Sequence, residues 1–267
     1  MEGETQAAAP VFEQLEQAHE ALADLLAEID DLQLQGIPRV KADYQVKIGC
    51  WELRVQKAEL AARRAKRKCE LAQRMANDGR EVDEARCEEM LDAEFAEWLE
   101  RVREAASSYK AAVKRRSGGS FLSKADSEKL KRLHRILVKR LHPDISRAKD
   151  AGECARLLEL AQGAYKTGDV ALLESLEVST RDLEREDGPR TPEEAAVELA
   201  LVEAHMSVLS EKKAQLEEGF PWNMRAKLAD PAWVARRSAE LKEQVDGFAE
   251  TEKRYLQRFG ELRGGRR

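Results

Sequence analysis

From Tyr44 to Ala72 the chain sets an apolar or small residue at every step of an alternating 4-3 spacing: Tyr44, Ile48, Trp51, Val55, Ala58, Ala62, Ala65, Cys69 and Ala72. A strand, whose side chains alternate between two faces, would scatter these positions, whereas an α-helix gathers them into one narrow seam. A seam that repeats every seven residues buries two positions in seven and leaves the others to water, the pattern of a coiled coil. Composition agrees. Of the 267 residues 36% are charged and only 5% aromatic, too few bulky side chains to fill one large core. The expected fold class is all-α, with two antiparallel coiled-coil helical hairpins flanking a small helical module.

The punctuation places the elements. Leu15, Leu22, Leu25, Ile29 and Leu32 keep one face of a first helix over residues 11–35, which Gly36-Ile37-Pro38 is expected to stop. The long seam ends at Asn77-Asp78-Gly79, and Asp83 can cap the helix that follows. That helix carries Leu91, Phe95, Trp98, Val102, Ala105, Tyr109 and Ala112, again at 4-3 spacing, so the two arms should fold back as a hairpin. Reflection about the turn sets Ala58, Ala62, Ala65 and Cys69 against Val102, Trp98, Phe95 and Leu91. Gly118-Gly119 ends the arm.

After a compact segment to about residue 180, RDLEREDGPRTP reads as a charged linker with a proline-marked restart. Ala195, Leu199, Val202, Met206, Leu209 and Leu216 then form one seam, and Leu241, Val245, Phe248, Tyr255, Phe259 and Leu262 its expected antiparallel return. At the tip lies GFPWNMRAKLADPAWV, where Asp230-Pro231 matches an N-cap followed by proline at the first helical position. Its apolar bulk is either a small core closing the hairpin or a docking patch. The expected division is thus 1–117, 118–180 and 181–267.

The formal net charge of −5, with charges of both signs interspersed, argues against wholesale attraction to nucleic acid or anionic lipid. RRAKRK at residues 63–68 looks like a nucleic-acid patch, but Glu88, Glu89, Asp92, Glu94, Glu97 and Glu100 on the partner arm offer it ion pairs instead. MEGETQAAAP lacks a basic start followed by an apolar run, and no stretch approaches a membrane span, so a cytoplasmic, membrane-free chain is expected. Cys50, Cys69, Cys87 and Cys154 are too far apart for a Cys-x-x-Cys site and do not cluster with the four histidines, so no metal or other cofactor is expected. No catalytic triad, phosphate-cradling glycine loop or paired-carboxylate pocket points to an enzyme. The seams can pair within one chain or between two, which leaves monomer and homodimer both open.

One segment carries a sharper signal. Leu130, Leu133, Leu137 and Leu141 line one face of a helix, and Lys131, Arg135 and Lys139 stand in a single i, i+4 row opposite, with Arg132 and Arg140 beside them. A row of like charges weakens its own helix and so points to a partner, unless it is an ordinary solvated face that also suits the C-terminal end of the helix dipole. The helix runs straight into His142-Pro143-Asp144, where the proline holds His142 extended and ends the helix in a loop.

SEKLKRLHRILVKRLHPD resembles the second helix and signature loop of a J-domain, the module of DnaJ-type co-chaperones. ARLLELAQGAYKTGDVALLESL resembles the family's next helix, with its Ala164-Tyr165 pair, and a short final helix. The resemblance covers about 55 residues and implies a co-chaperone that stimulates ATP hydrolysis by a DnaK-type chaperone, the ATP being bound by that partner. It assigns chaperone contact to His142, Pro143 and Asp144 and to the cationic face of Lys131, Arg135 and Lys139. It also implies that Leu157, Leu158, Ala161 and Tyr165 pack back on Leu133, Ile136 and Leu137. The family's opening helix has no recognisable counterpart in SGGSFLSKADSE, where Asp126 can cap helix two; either the arm end near Tyr109 to Val113 substitutes for it or the module is truncated. The client protein is not specified. The alternative is a coiled-coil adaptor or scaffold whose J-like segment is only structural.

Overall fold

A computed structural model of the chain describes residues 2–118, 123–146, 149–183, 188–189 and 191–264, with side chains from residue 10 onward except those of 117 and 118. Every regular element among them is helical: α1 (Glu2–Asp31), α2 (Ile37–Tyr44), α3 (Cys50–Asn77), α4 (Glu84–Glu94), α5 (Ala96–Gly118), α6 (Lys124–Leu141), α7 (Ala151–Thr167), α8 (Val170–Ser179), α9 (Pro192–Glu218), α10 (Arg225–Ala229) and α11 (Pro231–Gly264). No described helix is long and apolar enough to cross a membrane. Phe121 and Leu122, the apolar pair before helix two, lie outside the described residues.

The expected stop at Gly36-Ile37-Pro38 does not occur. Leu32–Gly36 and Gln45–Gly49 are π-turns, closed by N–H groups that reach back five residues, Ile37 to Leu32 and Cys50 to Gln45. A helical proline clashes with the carbonyl four residues before it and donates no hydrogen bond. The wider turn just before Pro38 relieves both problems, so the backbone stays helical from α1 into α3. Gly36 has a second role: a Cβ there would stand 2.7 Å from the Trp222 ring.

Contacts divide the chain into two compact units, one of residues 1–39 and 120–223, the other of residues 40–119 and 224–267. Neither is continuous in sequence, and the segments group otherwise than a division at 117 and 180 anticipates.

In the second unit α4 and α5 run antiparallel to α3 after the turn at Asn77–Gly79, where Gly79 takes the positive φ of 77° that a side chain would resist. Asp83 caps α4, its carboxylate accepting from the Arg86 N–H at 3.0 Å. The side chains that meet across this pair are Leu71 and Met75 with Cys87 and Leu91, and Leu53 and Leu60 with Val102. The reflected pairing of Ala58, Ala62, Ala65 and Cys69 with the large residues is therefore corrected. Helix α3 carries two apolar stripes, and α11 packs along it more extensively than any other element. Near Cys69, α11 brings Phe259, Arg258 and Glu261; Lys68 lies 4.5 Å from the Phe259 ring centre. Small residues on α3 permit this close approach.

Three cations of the RRAKRK run pair with α4. Arg64 meets Glu88 at 3.1 Å and Asp92 at 2.7 Å, Arg67 meets Glu94 at 2.9 Å, and Lys68 meets Glu84 at 2.6 Å and Glu88 at 2.7 Å. Burial opposes the Lys68 charge, but the two carboxylates outweigh it and hold the ammonium above its ordinary pKa.

The second expected hairpin is not formed. Helix α9 belongs to the first unit and lies along α1, with His19 beside Glu198 at 3.0 Å and Glu28 beside Lys213 at 2.7 Å. Both partners advance in the same direction, so the pair is parallel. Helix α11 is likewise parallel to α3, since Leu241 clusters with Ile48 while Phe259 reaches Lys68. The tip that was to close the hairpin holds a short helix as anticipated, and Asp230 caps α11 through the Ala232 N–H at 2.9 Å. Its Met224, Leu228 and Trp233 pack against Ile48, Tyr44 and Trp51 of the second unit. The cysteines are free thiols; Cys69, Cys87 and Cys154 are buried, and burial raises the Cys69 and Cys87 pKa values.

Candidate functional site

The sharpest signal in the sequence falls within the first unit. Ser123, not Asp126, caps α6: its hydroxyl accepts from the Asp126 N–H at 3.0 Å. Leu130, Leu133, Leu137, Val138 and Leu141 are buried, and they meet Leu158, Ala161, Ala164 and Tyr165 of α7 with Leu157 at the edge. Ile136 is only half-buried; Val138, fully buried, fills the place expected for it. Helix α7 starts at the Asp150 cap and ends at Gly168, whose φ of 79° turns the chain into the Asp169 cap of α8.

His142 closes α6 in extended conformation, with φ −68° and ψ 131°, as its place before proline requires. Its carbonyl accepts from the N–H groups of Ile145 at 3.0 Å and Ser146 at 2.7 Å, and buried Ile145 anchors the turn from below. Pro143 and Asp144 are therefore carried outward on a tight loop. The Asp144 N–H donates to His142 Nδ1 at 3.3 Å, and the Asp144 carboxylate lies 3.4 Å from the same nitrogen. Burial lowers the His142 pKa below its ordinary value, and the Asp144 carboxylate only partly offsets this. The imidazole is then neutral near pH 7, with Nδ1 accepting and the proton on Nε2. A second imidazole, His205 of α9, stands 3.6 Å from the Asp144 carboxylate, beyond hydrogen-bond distance.

Lys131, Arg135 and Lys139 do stand in one row, each about half exposed. They are not without partners. Lys131 meets Asp31 at 2.8 Å, Arg135 grips Asp24 through two of its nitrogens, and Lys139 meets Glu20. The three acids lie on α1 and run antiparallel to the three cations. Beneath them Leu22, Leu26 and Ile29 join the core of α6 and α7. Two further bonds fix the end of α1: the Tyr165 hydroxyl donates to Asp31 at 2.5 Å, and Gln162 donates to Asp30 at 2.9 Å.

The helix packed against α6 is α1 and not the end of α5, which belongs to the second unit. Arg140, read as part of the cationic face, instead turns toward α8 and donates to the Glu177 carbonyl at 2.7 Å and to buried Thr180 at 2.9 Å. It holds the module together. His134, 1% exposed, stacks on the Tyr165 ring at 4.1 Å between centres.

Sequence reasoning therefore found the loop and the cations but missed Glu20, Asp24, Asp31 and His205. A signal for the acids existed, since steps of four and seven residues along α1 answer the steps of four along α6. The arrangement sets one carboxylate on the loop beside a half-exposed cationic row. Among the described residues no group of three or more His, Cys, Asp or Glu side chains could hold a metal ion. In comparisons with known proteins the chain matches no family model, no curated protein and no solved structure.

Proposed function

We propose that the chain is a J-domain-like co-chaperone that engages a DnaK-type chaperone through the cationic face of α6 and the His142-Pro143-Asp144 loop and stimulates its ATPase. The observation that carries the reading is the placement of that loop: a tripeptide held by backbone bonds at the end of a basic helix, with Asp144 turned outward while α7 packs behind. Charge on α6 steers encounter, and the Asp144 carboxylate makes a charge-assisted hydrogen bond to a chaperone cation. Stimulation follows if the surface binds the hydrolysis-competent state of the chaperone better than the other. The remaining helices bring the chaperone to a client.

The test is single-turnover ATP hydrolysis by a DnaK-type chaperone with the wild-type protein and with His142→Gln. Acceleration by the wild type and none by the variant supports the reading. A second reading, a coiled-coil adaptor in which this segment is only structural, is favoured by one observation: the cationic row is already matched by acids of α1. It gains if neither protein accelerates hydrolysis.

A further inference from the structure

The acids of α1 present to the cationic row the kind of charge that an acidic partner would bring. Resting on the co-chaperone reading, we propose that α1 is an intramolecular competitor, an autoinhibitory strap whose Glu20, Asp24 and Asp31 must yield Lys139, Arg135 and Lys131 before an acidic chaperone surface can dock. Two independent features support it. Every member of the row has its own carboxylate, so the cation set is wholly occupied instead of neutralised at one point. The loop is approached by the same layer, since His205 of α9 stands 3.6 Å from the Asp144 carboxylate and α9 packs on α1. The layer of α1 and α9 thus offers carboxylates to the cationic row and sets a side chain beside the loop.

The strap is built to yield. Its ion pairs are half exposed, where such contacts are weak and screened by salt, so they compete without locking. Helix α1 itself is held elsewhere, by Leu22, Leu26 and Ile29 in the core and by the Tyr165 bond to Asp31. Exchange of partners on the cationic row therefore needs only side-chain movement, and α1 stays in place.

The experiment compares the full chain with a Glu20→Gln/Asp24→Asn double variant. Both positions are half exposed, and the variant spares Asp31, so the fold is kept; hydrogen exchange across α1 checks this. Binding to an ATP-loaded DnaK-type chaperone and single-turnover hydrolysis are read at low and high salt. Loss of two exposed competing pairs is expected to tighten binding by about two- to tenfold at low salt, with the gain shrinking at high salt. Stimulation should rise in step at subsaturating protein. If the wild type stimulates and the variant is no better, the strap is overturned and the co-chaperone reading stands. If neither protein binds or stimulates, the co-chaperone reading fails and the strap falls with it.

Discussion

The hydroxyl of Tyr165 gives a clean measure of how firmly α1 is docked on α7. The side chain is 1% exposed, its ring stacks on His134, and its hydroxyl donates to Asp31 at 2.5 Å. Burial, then the Asp31 carboxylate, raise the phenol pKa well above 10, so it remains a donor throughout the physiological range. Tyr165→Phe removes this one bond without opening a cavity of any size. A hydrogen bond to a charged acceptor contributes about 1.5–3 kcal/mol, but Asp31 is 36% exposed and keeps Lys131, so screening and the surviving partner bring the expected loss to about 1–1.5 kcal/mol. The loss should be local. Hydrogen exchange read by mass spectrometry should quicken over residues 22–31 and 155–165 and stay unchanged in the helices of the second unit, while urea unfolding reports the total. A double-mutant cycle with Asp31→Asn isolates the pair. The sign with pH follows from a raised pKa: the contribution is complete below about pH 10 and is lost as the pH climbs above it. A Tyr165→Phe protein within about 0.3 kcal/mol of wild type, with unchanged exchange over residues 22–31, would refute the docking of α1 through this bond.

Two further outcomes follow from other parts of the molecule. Lys68→Met keeps the volume of a side chain that is 9% exposed but removes its bonds to Glu84 and Glu88 and its contact with Phe259; with both carboxylates nearly half exposed, a loss of about 1–2 kcal/mol is expected in chemical denaturation, and a more stable variant would show that the lysine is not structural. His142 should titrate below the ordinary 6.5 in its NMR pH profile, because burial disfavours its charged form more than the facing Asp144 and Asp30 favour it, with His205 and Lys212 also opposing. Its neutral form then contributes stability above about pH 6.5 that is lost as the pH falls through the lowered value, and His142→Gln should flatten that acid limb; a midpoint at or above 6.5 contradicts this environment.

What the sequence made legible is local. Asp83, and Asp230 with Pro231, mark helix starts because a cap and the N–H it satisfies lie within three residues of each other. The face of α6 that meets α7 was readable from helical spacing, and the loop at His142 from a single proline. Ser123 in place of Asp126 is the kind of shift that helix ends allow, since both can accept a bond in the same turn. The pairings of α1 with α9 and of α3 with α11 were hidden for a different reason. An apolar stripe states that it will be covered and not by what, and the usual rule that neighbours in sequence pair in space favours a hairpin between α9 and α11. With two stripes on α3, pattern alone cannot distribute them between α5 and α11. The π-turn before Pro38 was hidden because proline and glycine close together are stop signals in most helices. The acids of α1 were missed because the cationic row was read alone, and its partner lies a hundred residues upstream.

The discontinuity of both units bears on how this chain leaves the ribosome. Helix α1 is made first, yet its partners α6 and α7 appear only after about 90 more residues and α9 after about 160, which at 5–20 residues per second leaves its apolar face uncovered for roughly 5–30 s. Helix α3 can fold against α4 and α5 early, but its second stripe waits for α11 at the far end of the chain. Each unit therefore completes only when a late segment returns to an early one, so the molecule during its own synthesis carries exposed apolar helix faces of the kind that general chaperones bind.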